Sequence, residues 1–389
     1  MRKIFFWLHL TAGVSAGLLI LTMCVTGTLL TYERQINSWA DHRDIQLPVP
    51  PAGAARMAPE ALIAKVHEAR GVDATGLVIY AAPGEPAEIP LGRDGTLLAD
   101  PYTGAVLGQP ATGTRRFFRV VKDWHRWLGM GGPSRNTGKA IMDAGNLVFF
   151  GIVLSGLYLW FPRKMTWQRF RPNLVFRGGL SGRARDFNWH NVIGIWAWLP
   201  LFLIVGSGVA MSYQWANNFV YTATGSPVPG GGRGGEGGPG RGENRAAPDY
   251  QGLNQAWTVA EAQEPGWSSI RVQVPASARA PWTFNIDTGN GGQPQARGTL
   301  SVDRTTGAVV RWLPFSTGSL GQRVRILMRF THTGESLGIV GQTIAGLATA
   351  GGGVMVYTGI ALALRRLFAW RRRRSIREAT PVEAQEQLV

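Results

Sequence analysis

The chain has 389 residues, 40 Lys and Arg against 24 Asp and Glu, a net charge of +16 and a single cysteine. One cysteine excludes a disulfide framework. The basic excess flanks long apolar runs and forms no recognisable binding module, so no nucleic acid is expected among the partners. Four stretches, 4–32, 144–162, 187–224 and 336–364, lack Asp, Glu, Lys and Arg; about 20 apolar residues cross a bilayer, and four transmembrane helices are expected.

The first span is assigned to 1–32. Its start, MRK, is like that of a secretion signal, but the apolar run is too long and no A-x-A-like site follows, so a retained anchor is expected. Cys24 lies mid-span and reads as a small packing residue. Segment 33–114 reads as a small α+β unit. APEALIAKVHEAR at 58–70 is a helix, strand-like runs lie around 77–81, 87–91 and 96–99, and the last hairpin is LADPYTGAVLG. An interfacial segment, 115–138, contains RRFFRVVKDWHRWLG, and the second span is 139–162. A basic loop at 163–186 leads to the third span, 187–216. A linker at 217–248 follows; its stretch 225–245, GSPVPGGGRGGEGGPGRGENR, is Gly-rich and reads as flexible. A second α+β unit, 249–318, carries a helix at 253–263, strands around 268–274, 281–287, 298–303 and 308–313, and the hairpin SVDRTTGAVVR. Then come an interfacial segment at 319–335, the fourth span at 336–364 and a basic tail at 365–389, whose end EATPVEAQEQLV reads as disordered.

Arg2 and Lys3, the seven basic residues of loop 163–187 and the seven Arg of 365–377 make up 16 of the 40 Lys and Arg. The positive-inside rule places these segments and both termini in the cytoplasm and the α+β units outside. The same charges suit contact with anionic lipid.

The chain is an internal repeat. His9, Gly13, Gly27 and Tyr32 recur as His190, Gly194, Gly208 and Tyr213, each offset by 181. The hairpins match at Asp100 and Asp303 and at Gly104 and Gly307, where Asp and Gly bracket a turn. The basic-aromatic segments place His125 against His332, and the spans after them align Gly156 with Gly359. Each copy is therefore a helix, a small α+β unit, a His segment and a helix.

Six histidines are present. His42 and His67 have no counterpart in the other copy and read as surface residues. With about 1.5 Å rise per residue, a straight helix from His9 to Tyr32 covers roughly 34 Å. His9 and His190 then lie near the inner face, and His125 and His332 near the outer face. Paired imidazoles in a bilayer point first to haem, an inner one held by His9 and His190 and an outer one by His125 and His332. A metal-ion site, proton transfer and interface anchoring are the competing readings. A structural zinc site is disfavoured, because the four residues cannot converge across about 30 Å of hydrocarbon. Arg116, Arg119, Arg126, Arg325 and Arg329 flank the outer pair and are candidate partners for haem propionates. Gly13, Gly17, Gly194, Gly206 and Gly351–Gly353 admit either a porphyrin face or close helix packing. No nucleotide-binding or hydrolase motif is present, so electrons would enter from another molecule.

The layout resembles the PepSY-associated transmembrane protein family, iron-regulated inner-membrane proteins that include dihaem ferric-siderophore reductases. The resemblance rests on KIFFWLHLTAG, DWHRWLG followed by SGLYLWFPR, FNWHNVIGIWAWLPL, FTHTGESLG and the two D-x-x-T-G hairpins, and it covers nearly the whole chain. It implies a membrane α-helical fold: four transmembrane helices in two repeats, each with a small periplasmic α+β (PepSY-like) domain. It further implies a multi-pass protein of the bacterial inner membrane with cytoplasmic termini. Two b-type haems per chain would use His9, His125, His190 and His332 as axial ligands. The activity implied is reduction of a periplasmic ferric siderophore, with electrons from an unidentified cytoplasmic or quinol donor. The alternatives are a non-redox siderophore permease or transport component, and a PepSY-based inhibitory or scaffolding membrane protein.

Overall fold

The computed structural model of the chain describes residues 1–389 except 46, 48, 49, 52, 164, 165, 230–247, 276, 278 and 380–389. Most of the Gly-rich stretch 225–245 and the last ten residues of the tail therefore lie outside the described residues.

The first apolar run is not one helix. It forms α1 (Arg2–Ser15) and α2 (Gly17–Leu30), bent by 67° at the junction. The cause lies in the small residues of AGVSAG. Ser15 Oγ turns back to the Ala12 carbonyl at 3.3 Å, and Ala16 leaves helical geometry at φ −96°, ψ 0°. Gly17 abuts α12 (Gly338–Ala379), where a β-carbon would lie 3.2 Å from Ile360 Cδ1. Gly and Ser pairs are common kink sites. This corrects the straight first span: the bend shortens the rise from His9 to Tyr32, and the depth of His9 follows from packing rather than residue counting.

Three further helices are long and apolar enough to cross a bilayer: α6 (Arg135–Trp160), α8 (Gly182–Ser212) and α12. The α1–α2 pair qualifies as a fourth, broken span. The chain is a multi-pass membrane protein with three to four candidate spans among the described residues. α12 continues as helix through the Arg run, so the basic tail is helical as far as Ala379. Ile20, Cys24, Phe149, Val153, Leu201 and Val205 form the centre of the helical layer. Cys24 packs there, against the site where Gly352 lets α12 approach. Leu18, Trp196 and Leu347 are exposed on the outer faces, as lipid-facing side chains are.

Four shorter helices frame this layer: α3 (Glu33–Asp44), α5 (Thr112–Trp127), α9 (Gln214–Ala223) and α11 (Leu320–His332). The basic-aromatic His segments are the helices α5 and α11. On the opposite side, α7 (Trp167–Leu174) is tied to the start of α8 by Asn188, whose Nδ2 donates to the Pro172 and Val175 carbonyls at 2.9 and 3.1 Å.

The α+β units follow the hydropathy pattern closely. The first has α4 (Pro59–Arg70), β1 (Gly76–Tyr80), β2 (Ala87–Pro90), β3 (Thr96–Ala99) and β4 (Val106–Gly108). The second has α10 (Leu253–Gln263), β5 (Ser269–Gln273), β6 (Trp282–Asp287), β7 (Arg297–Val302) and β8 (Val309–Pro314). They are not separate bodies. β1 pairs antiparallel with β5, Leu77 opposite Val272 and Ile79 opposite Ile270, giving one eight-stranded sheet in the order β4-β3-β2-β1-β5-β6-β7-β8. α4 and α10 cover one face, so Leu62, Ile63, Ile89, Trp257, Phe284 and Leu300 belong to a single core. The two helices cap each other: Glu60 N–H donates to Asn254 Oδ1 and Asn254 N–H donates to Glu60 Oε1, both at 3.0 Å. These bonds satisfy amides that a helix start leaves open.

The sheet is held to the helices by Arg34. Its guanidinium pairs with Glu335 at 3.6 Å and fills the space beside Gly291 and Gly292. Arg297, bound to Asp287 at 2.8 Å, lies over the Phe330 ring at 5.2 Å.

Candidate functional site

α5 carries His125 and α11 carries His332, both at the sheet side of the helical layer. α5 has three sectors. Phe118, Val121 and His125 face inward, Phe117, Val120 and Trp124 are exposed and apolar, and Arg116, Arg119 and Arg126 are exposed and charged. This pattern lays a helix along an interface with one face against protein. Its inward face brings His125 to His332, with ring centroids 6.3 Å apart and planes inclined by 63°.

Each ring is fixed from behind. Nδ1 of His125 lies 2.8 Å from Thr26 Oγ1 on α2. Nδ1 of His332 lies 2.8 Å from the Ile204 carbonyl and 3.3 Å from Ser207 Oγ on α8. Gly27, next to Thr26, leaves the space that His125 Cε1 occupies, 3.6 Å from where a β-carbon would stand.

The other two histidines sit on the far side and repeat the arrangement. His9 on α1 places Nδ1 2.9 Å from Ser155 Oγ on α6, and His190 on α8 places Nδ1 3.0 Å from Thr358 Oγ1 on α12. Gly156 and Gly359 again follow the hydroxyl residues, with β-carbon positions 3.3 Å from His9 Cε1 and 3.4 Å from His190 Cε1. The four repeat-matched histidines thus lie two on the sheet side and two on the far side. His67, in contrast, binds Asp73 at 3.1 Å on the surface of the α+β layer, and His42 belongs to α3.

Two imidazoles on opposite sides of one iron put their ring centres roughly 6.4 Å apart, given metal–nitrogen bonds of about 2.0 Å and a little over 1 Å from each nitrogen to its ring centre. The sheet-side pair meets that spacing. Among the described residues no group of three or more His, Cys, Asp or Glu forms a metal-binding cluster. The residues present fit a bis-imidazole haem.

The arginines divide. Arg116 lies nine residues before His125, two and a half helical turns, and so on the opposite side of α5. Arg119 is exposed, and Arg126 stacks on Trp127 at 4.7 Å. On α11, Arg325 and Arg329 precede His332 by about two turns and one turn and share its side of the helix. Arg325 Nε donates to Asn217 Oδ1 at 2.7 Å. Gly351 and Gly352 are packing residues, against Ile193 and Cys24, whereas a β-carbon at Gly13 would meet nothing within 4 Å.

Thr26, Ser155, Ser207 and Thr358 were not among the candidates drawn from the sequence. The available signal was a hydroxyl residue directly before each of the aligned glycines Gly27, Gly156, Gly208 and Gly359.

No curated protein matches the chain. The PepSY-associated TM region profile matches residues 6–377, and the chain belongs to that family.

Proposed function

We propose that the protein is a dihaem b-type reductase of the bacterial inner membrane that passes electrons across the membrane to a periplasmic ferric siderophore, releasing Fe(II) during iron uptake. The observation that carries this reading is the facing of His125 and His332 at 6.3 Å; on the far side His9 and His190 are held by hydroxyls in the same way. A haem held by these imidazoles would supply one-electron exchange.

The chain's own residues then have distinct tasks. His9 and His190 would hold the cofactor nearest a cytoplasmic or quinol donor, and His125 and His332 the one nearest the periplasm. Arg325 and Arg329, on the His332 side of α11, are the best placed of the five arginines to receive propionates. The buried Asp186 binds Arg185 and Arg365 at 2.9 and 3.0 Å and anchors α8 to α12 one turn from His190. The basic loop and tail lie on this same side and support its assignment to the cytoplasm. Reduction suits iron release, because hard oxygen donors hold Fe(III) more tightly than Fe(II).

The test is the visible spectrum and haem content of the detergent-purified protein, oxidised and then reduced with dithionite. A low-spin b-type spectrum with two haems per chain is expected. His9→Ala or His190→Ala should each leave one haem and stop transmembrane reduction of a ferric chelate in vesicles. A featureless spectrum after expression with ample haem would sink the reductase reading.

A further inference from the structure

The same five-residue segment receives each imidazole: MCVTG at 23–27, IVLSG at 152–156, IVGSG at 204–208 and MVYTG at 355–359. The recurrence is fourfold, finer than the twofold repeat of the chain. In each segment a hydroxyl faces one histidine, and the glycine after it does so at 27, 156 and 359, whereas Gly208 faces Asn146. At 204–208 the Ile204 carbonyl, three residues before the hydroxyl, also lies 2.8 Å from the ring nitrogen of His332.

A carbonyl can only accept. Each hydroxyl also lies within donor range of a carbonyl of its own helix: Thr26 of Thr22 at 2.5 Å, Ser155 of Ile152 at 3.1 Å, Ser207 of Ile204 at 2.8 Å and Thr358 of Val354 at 3.0 Å. At His332 the carbonyl makes Nδ1 the donor; at the other three, a hydroxyl proton given to its own helix leaves only oxygen lone pairs toward the ring, and Nδ1 donates. A neutral ring with its proton on Nδ1 has its free lone pair on Nε2.

We propose that Thr26, Ser155, Ser207 and Thr358 are positioning residues that, with the Ile204 carbonyl at His332, fix the four imidazoles in the Nδ1–H tautomer and turn Nε2 toward the iron. The tautomer follows from the hydrogen bonds alone; iron as the ligand of Nε2 rests on the reductase reading. An Nδ1 acceptor also sets ring orientation and ligand basicity. His332, with a carbonyl at 2.8 Å and the hydroxyl at 3.3 Å, relies more on the carbonyl than His125, whose hydroxyl is at 2.8 Å.

The full chain, labelled with 15N-histidine and purified without haem, tests this at about pH 8, where an ordinary imidazole is neutral. The ring-nitrogen resonances of His9, His125, His190 and His332 should report a pure Nδ1–H form. Thr26→Val should convert His125 alone to a mixture, and Thr26→Ser should preserve the pure form. Ser207→Ala should leave His332 fixed through the Ile204 carbonyl. An Nε2–H form in the wild type, or a His125 unmoved by Thr26→Val, overturns the proposal. In haem-loaded protein, Thr26→Val should weaken haem binding at the sheet-side pair by about 10–100-fold and shift that site's midpoint potential. Unchanged affinity and potential would overturn the positioning role. Fixed tautomers in a wild-type chain that takes up no haem would refute the reductase and leave the tautomer assignment standing.

Discussion

Gly156 shows how little space surrounds a ring: the β-carbon of any other residue would stand 3.3 Å from His9 Cε1. Leucine there must displace His9, so Gly156→Leu is expected to lower haem content from two to one per chain. Gly151 lies on an exposed part of the same helix with nothing within 4 Å of its β-carbon position, and Gly151→Leu should keep both haems. Two haems in Gly156→Leu would show that the ring is not confined. The arginines separate by the same geometry. Arg325→Ala should loosen the sheet-side haem, whereas Arg116→Ala, on the far side of α5 from His125, should leave haem affinity unchanged. The histidines were legible because a repeat offers two independent copies of each. The hydroxyls were not, because a Ser or Thr in an apolar helix ordinarily bonds to its own backbone, as Thr22 and Thr28 do with the Leu18 and Cys24 carbonyls. Only the fourfold recurrence before a glycine distinguishes the residues that also face a histidine.

Turns and helix ends are where single elements are fixed. Asp100 accepts from Tyr102 N–H at 2.8 Å and from Thr103 Oγ1 at 2.7 Å, and Gly104 follows at φ +73°. Asp100→Ala removes both bonds from a buried carboxylate, and a loss of about 1–3 kcal/mol in local stability is expected, read as faster amide exchange at Gly104. Asp303 closes the matching hairpin in a more exposed position. The Thr306 amide and hydroxyl, then the Thr305 amide, hold its carboxyl below the ordinary 3.8. A depressed value means the stabilisation is present above 3.8 and is lost as pH falls through the lower folded value. Protection of the Gly307 amide, which donates to the Asp303 carbonyl at 3.0 Å, should therefore fall only below about pH 4, and Asp303→Asn should blunt that acid response. These hairpins, and the helices at 59–70 and 253–263, were legible because alternation and turn chemistry are local. The break at Ala16 was not, because the summed hydropathy of a run is indifferent to a bend within it. The β1–β5 join was equally hidden: an alternating run shows that a strand has a buried face, not which strand lies beside it.

The two copies are tightly interleaved, and the site follows that division. Each imidazole is received within its own copy: His9 by Ser155, His125 by Thr26, His190 by Thr358 and His332 by Ser207. The facing of His125 and His332, in contrast, spans the two copies, and the proposed pairing of His9 with His190 does so too. One copy alone thus carries two half-sites and no complete one. The interface that completes them includes β1 with β5, α2 with α12, α6 with α8 and the paired caps of α4 and α10. Side chains also cross it, with Trp160 Nε1 donating to the Asn191 carbonyl at 3.2 Å and Gln342 Nε2 to the Thr31 carbonyl at 2.7 Å. Cutting the chain between Arg163 and Thr166 separates the copies while leaving α7 with α8, to which it is bonded. The two fragments, co-expressed, are expected to co-purify and to show the low-spin spectrum of the intact protein. Expressed alone, each should insert in the membrane without it. Failure of the fragments to associate would refute the shared sheet and helical interface. A low-spin spectrum from one fragment as a monomer would refute the division of each pair between copies, because no single copy places a second imidazole opposite its own.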